Sequence, residues 1–245
     1  MRAQLRSELL KQRSTRTNLG LFAGLLGLVT LAVLLHGVGL PTSDLAGTDN
    51  QLMVFGRGEY LGALFAALVG AMSITAEIRH GTIRPTFLVT PHRGRVVAAK
   101  VGASILMGAG FGLAASTLAV GVGAAVLPAQ GIDVQLDGGD YALLIAGGTA
   151  ASALWAAIGV GIGAVVRDQV PTLLGISAWL LFVEGLFGEN LVDVSRLAPG
   201  TLGVAISGQE PDTHLAPALS LLLLALYATA AAAAGWVATT RRDVV

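Results

Sequence analysis

The sequence predicts an all-α integral membrane protein, with six transmembrane helices, an N-terminal interfacial helix and a cytoplasmic helix between spans two and three. Three observations carry this. The 245 residues are 54% hydrophobic and 12% charged, roughly half the charge of an average soluble domain. Six apolar stretches approach the ~20 residues that cross a bilayer, near 19–40, 60–77, 96–127, 142–166, 170–187 and 215–239. Threaded with both termini on one side, they gather 13 of the 15 Lys and Arg residues there and leave Arg57 and Arg196 opposite. Basic residues are retained in the cytoplasm during insertion, so the basic side is the inside. Eleven of the fifteen acids lie on the other face or in the outer half of a span, weaker support because acids contribute little to orientation.

Little chain remains for anything else. The longest polar stretches run about 20–27 residues, too few to fold around their own core. Residues 1–245 therefore read as one transmembrane domain. The absence of cysteine excludes disulfides and thiolate metal sites. No GxxxxGK(S/T), HExxH or Cys/His cluster occurs. No catalytic or metal-ligating residue is expected, and nothing points to nucleic acid. Thirteen Arg against two Lys suit a GC-rich bacterial genome, which makes a bacterial plasma membrane the expected location.

Residues 1–18 are polar and basic, with Leu5, Leu9 and Leu10 at helical spacing. An interfacial helix would turn Leu5, Leu9 and Gln12 to lipid and Arg2, Arg6, Lys11 and Arg13 away; a disordered basic tail is the competing reading. The first apolar run starts late, lacks a small-x-small cleavage site and reads as a retained span. Pro41, Thr42 and Ser43 mark the outer turn that follows it. Span four ends at Arg167-Asp168-Gln169, a link short enough for a tight hairpin, and Pro171 suits the first turn of span five. Gly20/Gly24, Gly108/Gly112 and Gly159/Gly163 are small pairs that let helices approach in lipid. Residues 188–214 are partly apolar and broken by Pro199-Gly200. They form either two short helices dipping into the outer leaflet, which must pack on protein to satisfy their backbone, or a surface loop.

The stretch from Glu77 to Lys100 is too elaborate for a connector. Gly81 ends span two, Ile83 and Phe87 share a helical face, and Thr90-Pro91 reads as an N-cap and first helical residue. Charges alternate with apolar residues, as on a helix docked to a surface or partner; a plain positive anchor is the alternative. Glu77, at the membrane boundary, needs a partner: Arg79, Arg84 or a basic residue of the interfacial helix.

The pattern Glu77-x-Arg79-x-Gly81-Thr82-x-Arg84, with Pro91 beyond it, resembles the cytoplasmic loop of ABC-2 type permeases, the membrane subunits of bacterial ABC exporters. The basic N-terminal helix, six spans and interrupted segment before span six extend the resemblance over the whole chain. His80 departs from the aromatic or hydrophobic residue usual at that place. The resemblance implies that 78–95 is a coupling helix seated in an ATPase cleft, with Glu77, Arg79, Gly81, Thr82, Arg84 and Pro91 at the matching positions and Ile83 and Phe87 as its apolar contacts. It implies no cofactor on this chain, ATP and Mg²⁺ on two ATPase subunits, a second permease chain, identical or homologous, and outward transport.

Glu184 is the remaining charge of interest. It interrupts an apolar run near the outer end of span five, where an ionisable residue is a functional candidate by default. It would meet a cationic substrate or hold an outer gate, unless water simply solvates it. Few charged or aromatic residues in the spans favour a drug, peptide or lipid-like cargo. A secondary transporter would show inverted repeats and paired midplane charges. A membrane assembly or immunity protein is the third class.

Overall fold

The computed structural model describes residues 2–83, 85, 93–186, 191–209 and 214–241. Every regular element among them is a helix. The elements are α1 (Arg2–Ser14), α2 (Arg16–Gly39), a 3₁₀ turn (Asp44–Ala46), α3 (Thr48–Phe55), α4 (Arg57–Arg79), α5 (Arg93–Ala129), α6 (Gly138–Val166), α7 (Gln169–Ala178), α8 (Val192–Ser195), α9 (Pro199–Ile206) and α10 (Pro217–Arg241). Six helical stretches are long and apolar enough to cross a membrane: Arg16–Gly39, Thr48–Arg79, Gly94–Ala129, Gly138–Val166, Gln169–Leu186 and Pro217–Arg241. The second is longer than the 60–77 expected, because α3 and α4 follow one another directly across Gly56.

Local chemistry sets the ends. Asp137 caps α6: its Oδ1 accepts from the Gly139 and Asp140 amides at 2.6 and 3.1 Å, and Asp140 Oδ2 accepts from Asp137 N at 2.9 Å. This reciprocal pairing satisfies amides that a helix start leaves orphaned. At the other end, Arg167 turns left-handed at φ 64°. Asp168 then caps α7 through Val170 N at 3.1 Å, which completes the expected hairpin. Gly81, at φ +69°, closes the end of α4, a conformation that glycine adopts without a Cβ penalty. A π turn (Trp179–Val183) carries α7 onward.

Two spans are central. In α4 and α6, 61% of the apolar window is buried, against 22% in α2, 33% in α5 and 17% in α10. The α4–α6 contact is the most extensive in the bundle, followed by α5–α6. Glycine makes this possible. A Cβ at Gly70 would drive into the Ala156 carbonyl, and one at Gly159 into that of Ala67. Of the three glycine pairs, Gly108/Gly112 and Gly159/Gly163 pack as anticipated; Gly20 meets nothing within 4 Å and Gly24 only Phe65, at 3.9 Å. The peripheral helices expose large apolar side chains, among them Leu35 (61%), Leu174 (65%) and Leu222 (67%). In lipid that exterior costs nothing.

The described part of 188–214 resolves the choice between loop and helices. The short helices α8 and α9 occur, and α9 packs against α6, α10 and α4 with Leu202 fully buried. Gln51 is an unforeseen clamp at the same end. Fully buried, it donates to Leu45 O and Asp133 O at 2.9 and 3.0 Å and accepts from Gln135 N at 2.8 Å.

Candidate functional site

Four charges meet at the basic end of the bundle, Glu8 and Lys11 on α1, Glu77 on α4 and Lys100 on α5. Lys100, 1% exposed, directs its ammonium to Glu8 Oε2 (2.8 Å), Glu77 Oε1 (2.8 Å) and the Ser73 carbonyl (2.9 Å). That uses all three of its donors. Lys11 donates to Glu8 Oε1 at 2.8 Å and Glu77 Oε1 at 3.0 Å. The quartet is electrically neutral, which is how buried charge is tolerated. Burial pushes the Glu8 carboxyl up, but Lys100 and Lys11 outweigh it and hold it below its ordinary value. Burial likewise disfavours charge on Lys11, and its hydrogen bonds to Glu8 and Glu77 more than restore it, so its pKa is raised.

Gln12 extends the seam. Its Nε2 donates to Ser104 Oγ at 2.9 Å, and Asn18 Nδ2 donates to its backbone carbonyl at 2.8 Å. The expectation that Gln12 faces lipid is therefore corrected: Glu8 and Gln12 are buried, at 6% and 4% exposure. A polar face able to find fixed partners on α4 and α5 is better placed against them than in hydrocarbon. A cavity of about 490 Å³ lies beside the quartet, lined by Lys11, Gln12, Asn18, Met72, Glu77 and Thr82, among others.

The expected coupling residues divide. Glu77 takes the third of its offered partners, a basic residue of α1 (Lys11), and adds Lys100. Arg79 Nη1 instead reaches Gln169 Oε1 at 3.4 Å, linking the end of α4 to the α6–α7 hairpin. Thr82 Oγ1 donates to the Glu77 carbonyl at 3.4 Å just past Gly81. Ile83 was expected to project as an apolar contact; it is 4% exposed and clusters with Ile74, Ala164 and Ile78 of its own chain. Arg84, Phe87 and Pro91 lie outside the described residues.

Glu184, 8% exposed, is not open to solvent. Its carboxylate accepts from Gly200 N at 2.9 Å and Thr201 N at 3.0 Å, and from Trp179 Nε1. These amides open α9, where aligned peptide dipoles favour an anion. Glu184 thus joins α7 to α9, a link compatible with a gate and unlike a surface awaiting substrate.

The acid that sequence reasoning missed is Glu59, assigned to the outer half beyond span two. It is 2% exposed, and its Oε2 has no partner among the described residues. Gly148 and Gly203 leave the space it occupies, since a Cβ at either would meet Glu59 atoms. Ser116 and Ser152 are buried nearby with hydroxyls unpartnered among the described residues, and Glu184 lies within electrostatic range. The available signal was Gly58 and Gly62, small residues four apart around this acid where other helices approach closely. Lys100 had a clearer signal, a lone charge within the apolar run Val96–Ala103.

No protein-family model matches the chain, and no curated protein matches it. Fold and composition define a multi-pass α-helical membrane protein.

Proposed function

We propose that this chain is the membrane-spanning permease subunit of an ABC exporter of the ABC-2 type. It moves a hydrophobic or amphipathic substrate (drug, peptide or lipid-like) outward across a bacterial plasma membrane. Both termini are cytoplasmic. Two copies of a separate ATPase hold ATP and Mg²⁺, and a second permease chain, identical or homologous, completes the path. The chain itself catalyses nothing.

The observation that carries the reading is the charge quartet. A subunit that receives work from outside the membrane needs a handle rigidly continuous with its spans. Glu77 and Lys100 bracket the 78–95 segment and bind each other at 2.8 Å, and Lys11 and Glu8 tie α1 to both. Movement imposed on that segment therefore acts on α1, α4 and α5 together. In this reading Arg79, Gly81, Thr82, Arg84, Phe87 and Pro91 form or shape the ATPase contact, and Ile83 anchors its base. The test is co-purification with a candidate ATPase subunit, followed by transport in vesicles. Phe87→Ala removes an apolar anchor worth about 2 kcal/mol or more, and weakens ATPase association or uncouples hydrolysis from transport. Wild-type association and transport in Phe87→Ala remove the main support for this function.

Glu59 favours a second reading, a transporter driven by an ion gradient. Buried ionisable groups in spans mark ion pathways, and Glu59 with Glu184 makes two acids at one end of the bundle. Transport by the purified chain alone, driven by an imposed gradient without ATP, would select that reading.

A further inference from the structure

We infer that α1 carries a docking face for anionic phospholipid headgroups, formed by Arg2, Arg6 and Arg13. At 100° per residue these three fall within about 40° of one another around the helix. All three are exposed, and none pairs with a carboxylate among the described residues. The one acid of α1, Glu8, is turned inward and neutralised by Lys100 and Lys11. The helix therefore spends its polar face on the protein and presents uncompensated positive charge on the other side. Leu10, 59% exposed, and Leu9, half-buried, flank the stripe. Guanidinium groups between leucines match the boundary of an anionic leaflet, where phosphate oxygens accept their fork of donors and acyl chains receive the leucines.

This differs from a helix that only rests on the membrane, because it selects lipid by charge. It is independent of the permease function and rests only on the spans. It also ties lipid composition to Glu77 and Lys100, since α1 is their partner.

The test uses the full chain in mixed micelles of equal phosphatidylglycerol and phosphatidylcholine, with bound lipid read by native mass spectrometry. Each basic residue near an anionic surface contributes about fivefold. The phosphatidylglycerol preference of the wild type should fall by at least about tenfold in Arg2→Gln/Arg6→Gln/Arg13→Gln, and weaken with salt. Arg57→Gln/Arg196→Gln, at the opposite end, should leave it unchanged. A fluorophore on Leu10→Cys reports separately on the folded chain, with quenching by spin-labelled phosphatidylglycerol exceeding that by spin-labelled phosphatidylcholine. Equal preference in wild type and triple variant overturns the inference. So does a triple variant that keeps its lipid preference but loses binding to an acidic protein, which would make the stripe a protein contact.

Discussion

Replacing Lys100 with Met keeps an unbranched side chain as far as Cε and removes the ammonium. The consequence follows from the quartet. Glu8 and Glu77 would be left sharing Lys11, whose side chain is 47% exposed. Removing one partner of a buried ion pair costs about 3–5 kcal/mol. The stranded carboxylates have two ways out. For Glu8, taking up a proton at pH 7 from an ordinary value of 4.5 costs about 3.4 kcal/mol, at 1.36 kcal/mol per unit. The other route is for α1 to leave, which returns Glu8 to water at the loss of the Gln12–Ser104 bond and of the half-exposed Lys11–Glu77 pair, each worth only about 1 kcal/mol. Lys100→Met should therefore undock α1 rather than unfold the bundle. The chain has no native cysteine, and Leu5 Cδ1 lies 3.2 Å from where a Cβ on Gly102 would stand. Leu5→Cys/Gly102→Cys should cross-link rapidly in the parent and several-fold more slowly with Lys100→Met added. An unchanged cross-linking rate and melting temperature would refute the claim that the quartet holds α1.

Four further outcomes are expected. Because Glu8 sits below its ordinary value, its contribution is complete above about pH 4.5 and is lost as pH falls through the lowered native value; measured relative to a cysteine pair set in the α4–α6 contact, which shares the same thiol ionisation, the same cross-linking should slow only in acid, and no relative change between neutral pH and full protonation of Glu8 would count against it. Gly159→Leu should cost about 1–3 kcal/mol or more through overpacking against α4, whereas Gly20→Leu, which meets nothing within 4 Å, should leave thermal stability unchanged. Glu184→Ala strips the acceptor from the first amides of α9 and should cost about 1–2 kcal/mol, read as a lower melting temperature and faster labelling of Thr201→Cys; Glu184→Gln, which retains an oxygen acceptor, should lie between. For orientation, Gln135→Cys should react with an impermeant thiol reagent added to intact cells and Thr90→Cys should not; the reverse would end the both-termini-inside arrangement.

Some of this was legible residue by residue. The apolar runs predicted all six spans, and Gly81 and Arg167-Asp168 placed two helix ends, because span length and chain reversal depend on near neighbours. Pro199-Gly200 signalled an interruption, and the structure places α9 there with Leu202 buried beneath it. What sequence reasoning misassigned depended on which face a helix turned. Ile83 was expected on a partner and lies on Ile74, and Gln12 was expected in lipid and lies on Ser104.

By itself the sequence determined a membrane protein of six helical spans and, through 13 basic residues on one side, its expected orientation. Hydropathy and charge bias are sums over a window and survive without knowing any contact. Tertiary structure alone decided that Glu8 would meet Lys100 across 92 residues of chain, that α4 and α6 would form the centre, and that Glu59 would be enclosed with its Oε2 unpartnered among the described residues. Those outcomes depend on how helices rotate and approach. That is set by glycines fitting against carbonyls in another helix and by buried charges finding opposite charge, neither of which leaves a local pattern.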